Sequence, residues 1–474
     1  MSTTASAEGG SPNIGFVIMI AAAAALGGFL FGFDTSVING AVKALQGEFA
    51  ATPLQVGLAV SLALLGSAVG AFIAGPLADR LGRTRSMTIA GILFMISAIG
   101  SGLPFGLVDF IFWRIVGGIA VGAASVLAPA YIAEVSPAAY RGRLASLQQL
   151  AIVTGIFVAL YAGWGIAEAA GGAANEAWLG YEGWRWMFWS EIPAALIYTI
   201  ASLFIPESPR YLVSKGRDEE AAEVLSRVIG GDAAHKVDEI RATMDMEHKP
   251  NFADLRGRFG LLPIVWIGVL LSLFQQFVGI NVVFYYSSAI WQAVGFTEQD
   301  AMMTSTITGL VNIVTTLIAI SLVDKLGRKP LLIIGSVGMA VTLGMLAYVF
   351  GGAETITVVR EGVERTVPQL TAEEGKIAII AFNLYVFCFG MSWGPVVWVL
   401  LGEMFNNKIR AAALALAASA QWAANFLVST TFPPIAVNLG LGAAYGIYTM
   451  FAFLSIFFVW KYVKETKGRE LEEM

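Results

Sequence analysis

"GPLADRLGRTR" (75–85) returns in altered letters as "ISLVDKLGRKP" (320–330), with Asp79, Gly82 and Arg83 matched by Asp324, Gly327 and Arg328. Outward from each copy the pattern repeats. "AEVSPAAYRG" (133–142) is answered by "GEMFNNKIRA" (402–411), which aligns Glu134 and Arg141 with Glu403 and Arg410. "PESPRYL" (206–212) is answered by "KETKGREL" (464–471). Three echoes in the same order at equivalent places make the chain two halves of one design in parallel orientation. That organisation implies a cavity between the halves at mid-membrane depth.

Composition says what the halves are made of. Of 474 residues, 57% are apolar and 13% charged, with mean hydropathy +0.71, about half the charge of a soluble domain. Apolar stretches of spanning length recur at 14–41, 54–78, 86–104, 107–132, 144–169, 186–205, 260–292, 301–323, 330–350, 375–402, 408–434 and 441–463. The expected fold is all-α and integral to the membrane, twelve transmembrane helices in two six-helix pseudo-symmetric halves. Residues 1–205 form an N-terminal bundle, 206–259 a linker with short helices, and 260–474 a C-terminal bundle with a short tail. No basic region precedes the first apolar run, so it reads as a retained helix rather than a signal peptide. The single cysteine, Cys388, rules out an intramolecular disulfide. A net charge of −5 gives no reason to expect nucleic-acid binding.

Basic residues orient the chain. The loops after helices 2, 4, 8 and 10 and the tail hold Arg80, Arg83, Arg85, Arg141, Arg143, Lys325, Arg328, Lys329, Lys408, Arg410, Lys461, Lys464, Lys467 and Arg469. The opposite loops hold only Lys43, Arg185, Arg360, Arg365 and Lys376. By the positive-inside rule both termini are cytoplasmic, in a multi-pass protein of the cell (inner) membrane. His235 and His248 lie in the linker, where neither can serve as an intramembrane proton relay.

Three charges interrupt the apolar runs of the first half: Asp34, Arg114 and Glu191. The residues from Ile14 to Phe33 include no ionisable side chain and span roughly 30 Å as helix, which puts Asp34 near the far face. A carboxylate at depth must face protein and find a partner. Arg114 follows Asp109, and Glu191 follows Arg185, by similar distances from the same face, so the three can meet. In a low-dielectric site an arginine beside two carboxylates neutralises one and leaves the other as a natural proton holder.

The quoted stretches, with "QQFVGINVVFYY" (275–286), "GPVVWVLLGEMF" (394–405) and "KETKGR" (464–469), resemble the major facilitator superfamily. Within it they resemble the sugar porter family of proton-linked and facilitative monosaccharide transporters. The resemblance covers nearly the whole chain. It implies a sugar site of Gln149, Gln275, Gln276, Asn281, Asn312, Trp398, Gln421 and Phe31, in which amides pair with hydroxyls and Trp398 stacks under the ring. Tyr285 and Tyr286 resemble an outer gate. Asp79, Arg80, Arg83, Glu134, Arg141, Asp324, Arg328, Glu403 and Arg410 take the positions of a cytoplasmic salt-bridge network that stabilises the outward-facing state. The position of Asp34 is acidic in proton-coupled members and asparagine in facilitative ones, which implies symport with Asp34 as carrier, Arg114 as partner and Glu191 as modulator. Two departures from the family pattern, Lys464 for proline and Thr84 within a basic pair, touch loop contacts rather than the cavity.

The expected function is a proton-coupled monosaccharide symporter working by alternating access, with a xylose symporter or a facilitative uniporter as alternatives. Ile156 and Phe284 match hexose carriers of the family, where the bacterial xylose permease has glutamine and leucine, and favour glucose or a similar hexose. A drug or organic-acid carrier of the same fold would need fewer cavity amides. A sugar-sensing receptor would need a signalling tail. A membrane enzyme would need a metal cluster or nucleophile–base pair at depth, which the sequence does not offer. The partners are therefore a monosaccharide, a proton and the lipid bilayer, with no cofactor and no metal, in a functional monomer. Gly394, Pro395, Pro433 and Pro434 mark helices 10 and 11 as broken.

Overall fold

The structure, a computed structural model, describes residues 13–137, 140–228, 233–245, 252–258, 260–360, 363–405 and 409–466. Twelve helical stretches among them are long and apolar enough to cross a membrane. In the first half, spans 1 to 6 are Ile14–Glu48, Pro53–Leu81, Arg83–Gly102, Leu107–Val135, Ser146–Ala170 and Gly183–Phe204. In the second half, spans 7 to 12 are Pro263–Ala293, Glu298–Leu322, Arg328–Gly351, Ala372–Met404, Ala412–Asn438 and Leu441–Tyr462. The end of the bundle where spans 3 and 9 begin, with Arg83 and Arg328, is called here the basic end. The other is the far end.

Polar residues start several spans. Thr52 and Thr371 each accept from the backbone three residues on, while Gln55 and Glu374 reach back to the threonine N–H, so two otherwise unpaired donors are satisfied at each helix start. Between the halves, helices Pro209–Ser214, Asp218–Val228 and Ala233–Asp245 pack through Leu212, Ala221, Leu225 and Val237. These short helices fall within residues 206–259; His248 lies outside the described residues. Two hairpins decorate the far end: Glu176–Trp178 with Tyr181–Glu182 before span 6, and Glu354–Arg360 with Val363–Gln369 before span 10.

The halves meet along span 2 against span 11 and span 5 against span 8. One buried cluster, with Phe33, Leu64, Tyr286 and Phe432, runs across both halves. A second, with Phe94, Leu127, Tyr131 and Tyr198, belongs to the first half.

Breaks in the helices differ from expectation. Span 10 does break, into Ala372–Gly390 and Trp393–Met404, but at Met391–Ser392; Pro395 falls in the first turn of the second piece, where an N–H is dispensable. The expected break in span 11 is absent, since Arg410–Asn438 is one helix containing Pro433 and Pro434. The Ser429 carbonyl, four residues before Pro433, accepts instead from the Tyr286 hydroxyl at 2.8 Å. Three further breaks were not expected, although Pro193 stands in the first turn after the break of span 6. Span 1 divides into Ile14–Ser36 and Ile38–Glu48, span 6 into Gly183–Trp189 and Ile192–Phe204, and span 7 into Pro263–Phe277 and Ile280–Ala293. At the last, Gly279 has φ +82°, and a Cβ there would lie 2.5 Å from the Tyr448 ring, so glycine is required twice over.

Candidate functional site

The breaks in spans 1 and 6 position the charges. Arg114, on unbroken span 4, donates from Nη1 to Asp34 Oδ1 and from Nη2 to the Asp34 carbonyl, both at 2.8 Å. The first piece of span 1 ends two residues after Asp34, so the guanidinium meets a helix C-terminus as well as a carboxylate. Its face lies over the Phe188 ring, 5.6 Å to the centroid. Glu191 stands at the N-cap position of the second piece of span 6 without a side-chain capping bond, and it interacts electrostatically with both Asp34 and Arg114. All three side chains are buried, at 1%, 2% and 0% exposure. The sequence expectation that they meet is therefore realised. Asp34 Oδ2 and both Glu191 oxygens have no donor among the described groups. Two buried carboxylates face one cation, and buried oxygens without donors are costly.

The amides of the second half are joined across helix breaks. Gln276 accepts from Asn281 Nδ2, a bond that straddles the Val278–Gly279 break of span 7. Gln275 Nε2 donates to the carbonyls of Trp393 at 2.8 Å and Gly394 at 3.3 Å, at the start of the second piece of span 10, and Gln275 Oε1 accepts from Gln421. The donors of Gln275 are thus spent on the protein, while Gln421 Oε1 is buried without a partner. Asn312 is buried, its Oδ1 3.6 Å from where a Cβ on Gly390 would lie. Trp398 is 46% exposed, and Gln149 and Ile156 are half-buried on span 5.

Two residues absent from the sequence expectation stand here. Trp422, next to Gln421, has its ring 6.3 Å from that of Phe31 and packs against both buried clusters, so it bridges the halves. Its signal was an aromatic beside an amide in one helix. Asn39, in the second piece of span 1, donates to the Phe284 carbonyl and Ser287 Oγ, each at 2.9 Å, and accepts from the Ser288 N–H at 3.1 Å. An asparagine within an apolar run was its signal. With the Ser61–Thr430 hydroxyl pair at 2.6 Å it ties the halves together towards the far end. Phe284, Tyr285 and Tyr286 are buried behind it, the Tyr285 hydroxyl 3.5 Å from Asn425.

At the basic end the repeats become matching clasps. Arg83 grips Glu134 through Nε at 3.2 Å and Nη2 at 3.0 Å; Arg328 grips Glu403 through Nε at 3.1 Å and Nη2 at 2.7 Å. Glu207 accepts from the backbone N–H of Arg83 and Thr84, and Glu465 from those of Arg328 and Lys329. Each glutamate thereby caps the start of a span, where an anion is favoured. Ser208 donates to Glu134, and Thr466 to Glu403. Gly82 and Gly327, at φ +100° and +92°, leave room for the capping carboxylates. Glu207 and Glu465 were missing from the expected network although "PES" and "KET" align them. Neither family departure disturbs the clasps: Thr84 adds a hydroxyl bond to Glu207, and Lys464 is exposed.

Two members of the expected network stand elsewhere. The described pairs with Glu134 and Glu403 each join two helices of one half. Arg80 is exposed and contributes only its carbonyl, to Tyr211. Arg410 donates to the Phe405 carbonyl at 3.1 Å instead of joining a carboxylate, because that carbonyl ends span 10 beside it. Asp79 pairs with Arg83 at 2.7 Å but is 71% exposed, where an ion pair is worth little. The side chains of Arg141 and Asp324 lie outside the described set, as does Lys408.

A family model described as "Sugar (and other) transporter" matches residues 20–474. A glucose transport protein of Synechocystis sp. is 61% identical over 476 residues, covering 100% of both chains. A D-xylose-proton symporter of Escherichia coli is 40% identical over 495 residues, covering 98% of this chain and 96% of that one. The xylose transporter of Escherichia coli in an inward-open conformation superposes with TM-score 0.82 at 38% identity, covering 96% of this chain and 98% of that one.

Proposed function

Since the chain belongs to the sugar (and other) transporter family, a membrane-transport and not a catalytic family, we propose that it is a proton-coupled monosaccharide symporter working by alternating access. The observation that carries this reading is the buried group of Asp34, Arg114 and Glu191, with one cation for two carboxylates and three oxygens lacking donors. Deprotonated Asp34 holds Arg114 and with it spans 1, 4 and 6 in one arrangement. A proton on Asp34 releases Arg114 and lets the sugar-loaded halves rock. Coupling follows because a proton can bias only those conformations that bind it differently. The named proton symport of the Escherichia coli relative supports the same reading.

The sugar is bound by the amides of spans 7, 8 and 11, with Gln149 opposite and Trp398, Trp422 and Phe31 offering apolar faces. Relatives named for xylose, among them the proton symporter and the inward-open structure, favour D-xylose over the hexose that Ile156 and Phe284 led us to expect. The 61% identical glucose transport protein is the observation that favours glucose as second reading. In pyranose form the two sugars share ring and hydroxyls and differ in one hydroxymethyl group, so both use the same amides. Tyr285 and Tyr286 gate the far end. The basic end faces the cytoplasm of a cell (inner) membrane, with both termini on that side, and the unit is a monomer.

Asp34→Asn tests the core of the proposal. The amide keeps shape and hydrogen bonding but releases no proton. Accumulation of labelled xylose or glucose in energised vesicles should vanish, while counterflow in de-energised vesicles persists because the sugar amides lie mostly in the other half. A variant that still accumulates sugar under a proton gradient would remove Asp34 from coupling. Competition between the two sugars in the wild-type vesicles ranks them.

A further inference from the structure

The loops at the far end of the first half expose apolar side chains that the transport reading leaves unused. Leu103 and Phe105, between spans 3 and 4, and Val108, in the first turn of span 4, are 42%, 100% and 82% exposed. Trp178, Leu179 and Tyr181, on the short hairpin before span 6, are 47%, 84% and 38% exposed. The two loops form one body. Arg185 Nη1 donates to the Gly102 carbonyl at 3.1 Å, and its Nη2 lies 3.6 Å from Glu48. The Trp189 ring, 5.1 Å from Tyr181 and 5.0 Å from Trp186, closes over Gly102.

The exposed rings and tips are held in place. The Phe105 N–H donates to Asp109 at 2.9 Å, which fixes its loop while the ring stays outside. Leu179 adopts φ +55° and Gly180 φ +78°. A leucine in the left-handed region is strained, where asparagine or glycine would be at ease. The sequence puts an apolar residue on the outermost point of the hairpin at that cost.

The neighbouring surface identifies the partner. On span 3, Ile92, Ile96 and Ile99 are 41%, 42% and 47% exposed at the spacing of one helix face, which is the face a spanning helix turns to lipid. Leu103 is the next member of that stripe, and Phe105 follows it beyond the helix end. Apolar tips flanked by tryptophan and tyrosine at the ends of spans match the interfacial layer of a bilayer, where amphipathic rings are enriched.

We propose that these two loops form a foot that inserts into the bilayer interface at the far end and fixes the depth of the first half. The partner is the headgroup and upper acyl region of a lipid leaflet. In the second half the loop that answers the one between spans 3 and 4 is the hairpin Glu354–Arg360 with Val363–Gln369, whose sequence "ETITVVREGVERTVPQ" carries charges.

Depth measurement by spin labelling tests this on the full chain in phosphatidylcholine liposomes. Cys388→Ser removes the only native thiol, and Leu179→Cys, Phe105→Cys or Glu354→Cys then places one nitroxide. At positions 179 and 105, relaxation by dissolved oxygen should exceed relaxation by a water-soluble nickel chelate several-fold, and at 354 the order should reverse. Nickel-dominated relaxation at both 179 and 105 would overturn the proposal. So would spin–spin broadening between labelled copies, which would assign the patch to contact with a second copy of the chain.

Discussion

The two halves are near-copies at the basic end and chemically unlike each other at mid-membrane depth. Arg83, Glu134, Glu207 and Ser208 repeat as Arg328, Glu403, Glu465 and Thr466, with each bond made by the same kind of atom. Deeper in the membrane the first half carries two carboxylates and an arginine, whereas the second carries amides and tyrosines. The shared part organises helix starts. In the proposed symport the divergent part divides labour, with charge handled on one side and hydroxyl recognition on the other. Repetition then marks the scaffold, and departure from it marks the proposed site.

Removing the cation should have the largest effect. Arg114→Ala leaves Asp34 and Glu191 buried without a partner, and loss of one member of a buried pair costs about 3–5 kcal/mol. Thermal unfolding should drop markedly, and Asp34→Asn in the same chain should restore part of the loss. Wild-type stability in the single variant would mean that the charged core is not what distinguishes the first half.

Next come the clasps, which test whether likeness of geometry is likeness of energy. Glu207→Gln and Glu465→Gln each weaken two charge-assisted backbone bonds, worth about 1.5–3 kcal/mol where buried and less here because the sites are partly solvated. Equal downward shifts in melting temperature are expected, adding in the double variant. A shift confined to one half would break the symmetry.

Gln276→Ala or Asn281→Ala should cost less, about 1.4 kcal/mol or a little more, because each removes one partner of sugar hydroxyls and of the other amide. Sugar binding measured by calorimetry should weaken by about tenfold or more in a protein that still folds. Unchanged affinity in both would take recognition away from span 7. The smallest effect belongs to Ile156→Gln with Phe284→Leu, which should move the xylose-to-glucose affinity ratio by about 1 kcal/mol towards xylose. An unmoved ratio would leave both positions without a role in selectivity.

Much of this was legible in the sequence because long apolar runs and spaced repeats report architecture directly. The meeting of Asp34, Arg114 and Glu191 followed from counting residues from one membrane face. Of the helix breaks, only that of span 10 followed. Val37, where span 1 divides, keeps helical angles, and no proline or glycine announces it. Pro433 and Pro434 announced a break that tertiary contact removed, since Tyr286 supplies the donor Pro433 lacks. Gln275 looked like a free sugar ligand because its bonds to Trp393 and Gly394 depend on a distant chain segment. Local pattern reveals which groups are unusual, and only the fold reveals which of them are already satisfied.

The Tyr286 bond to Ser429 carries one more consequence. If Tyr286 gates the far end as proposed, opening moves it away from span 11 and takes this donor from the Ser429 carbonyl. Leaving that carbonyl bare costs about 1–3 kcal/mol, so a water must take the place of the hydroxyl as the gap widens. Gate opening is then expected to be hydration-coupled. Raising the osmotic pressure with a solute too large to enter the gap should slow the return of the empty carrier, even where sugar and proton concentrations are unchanged.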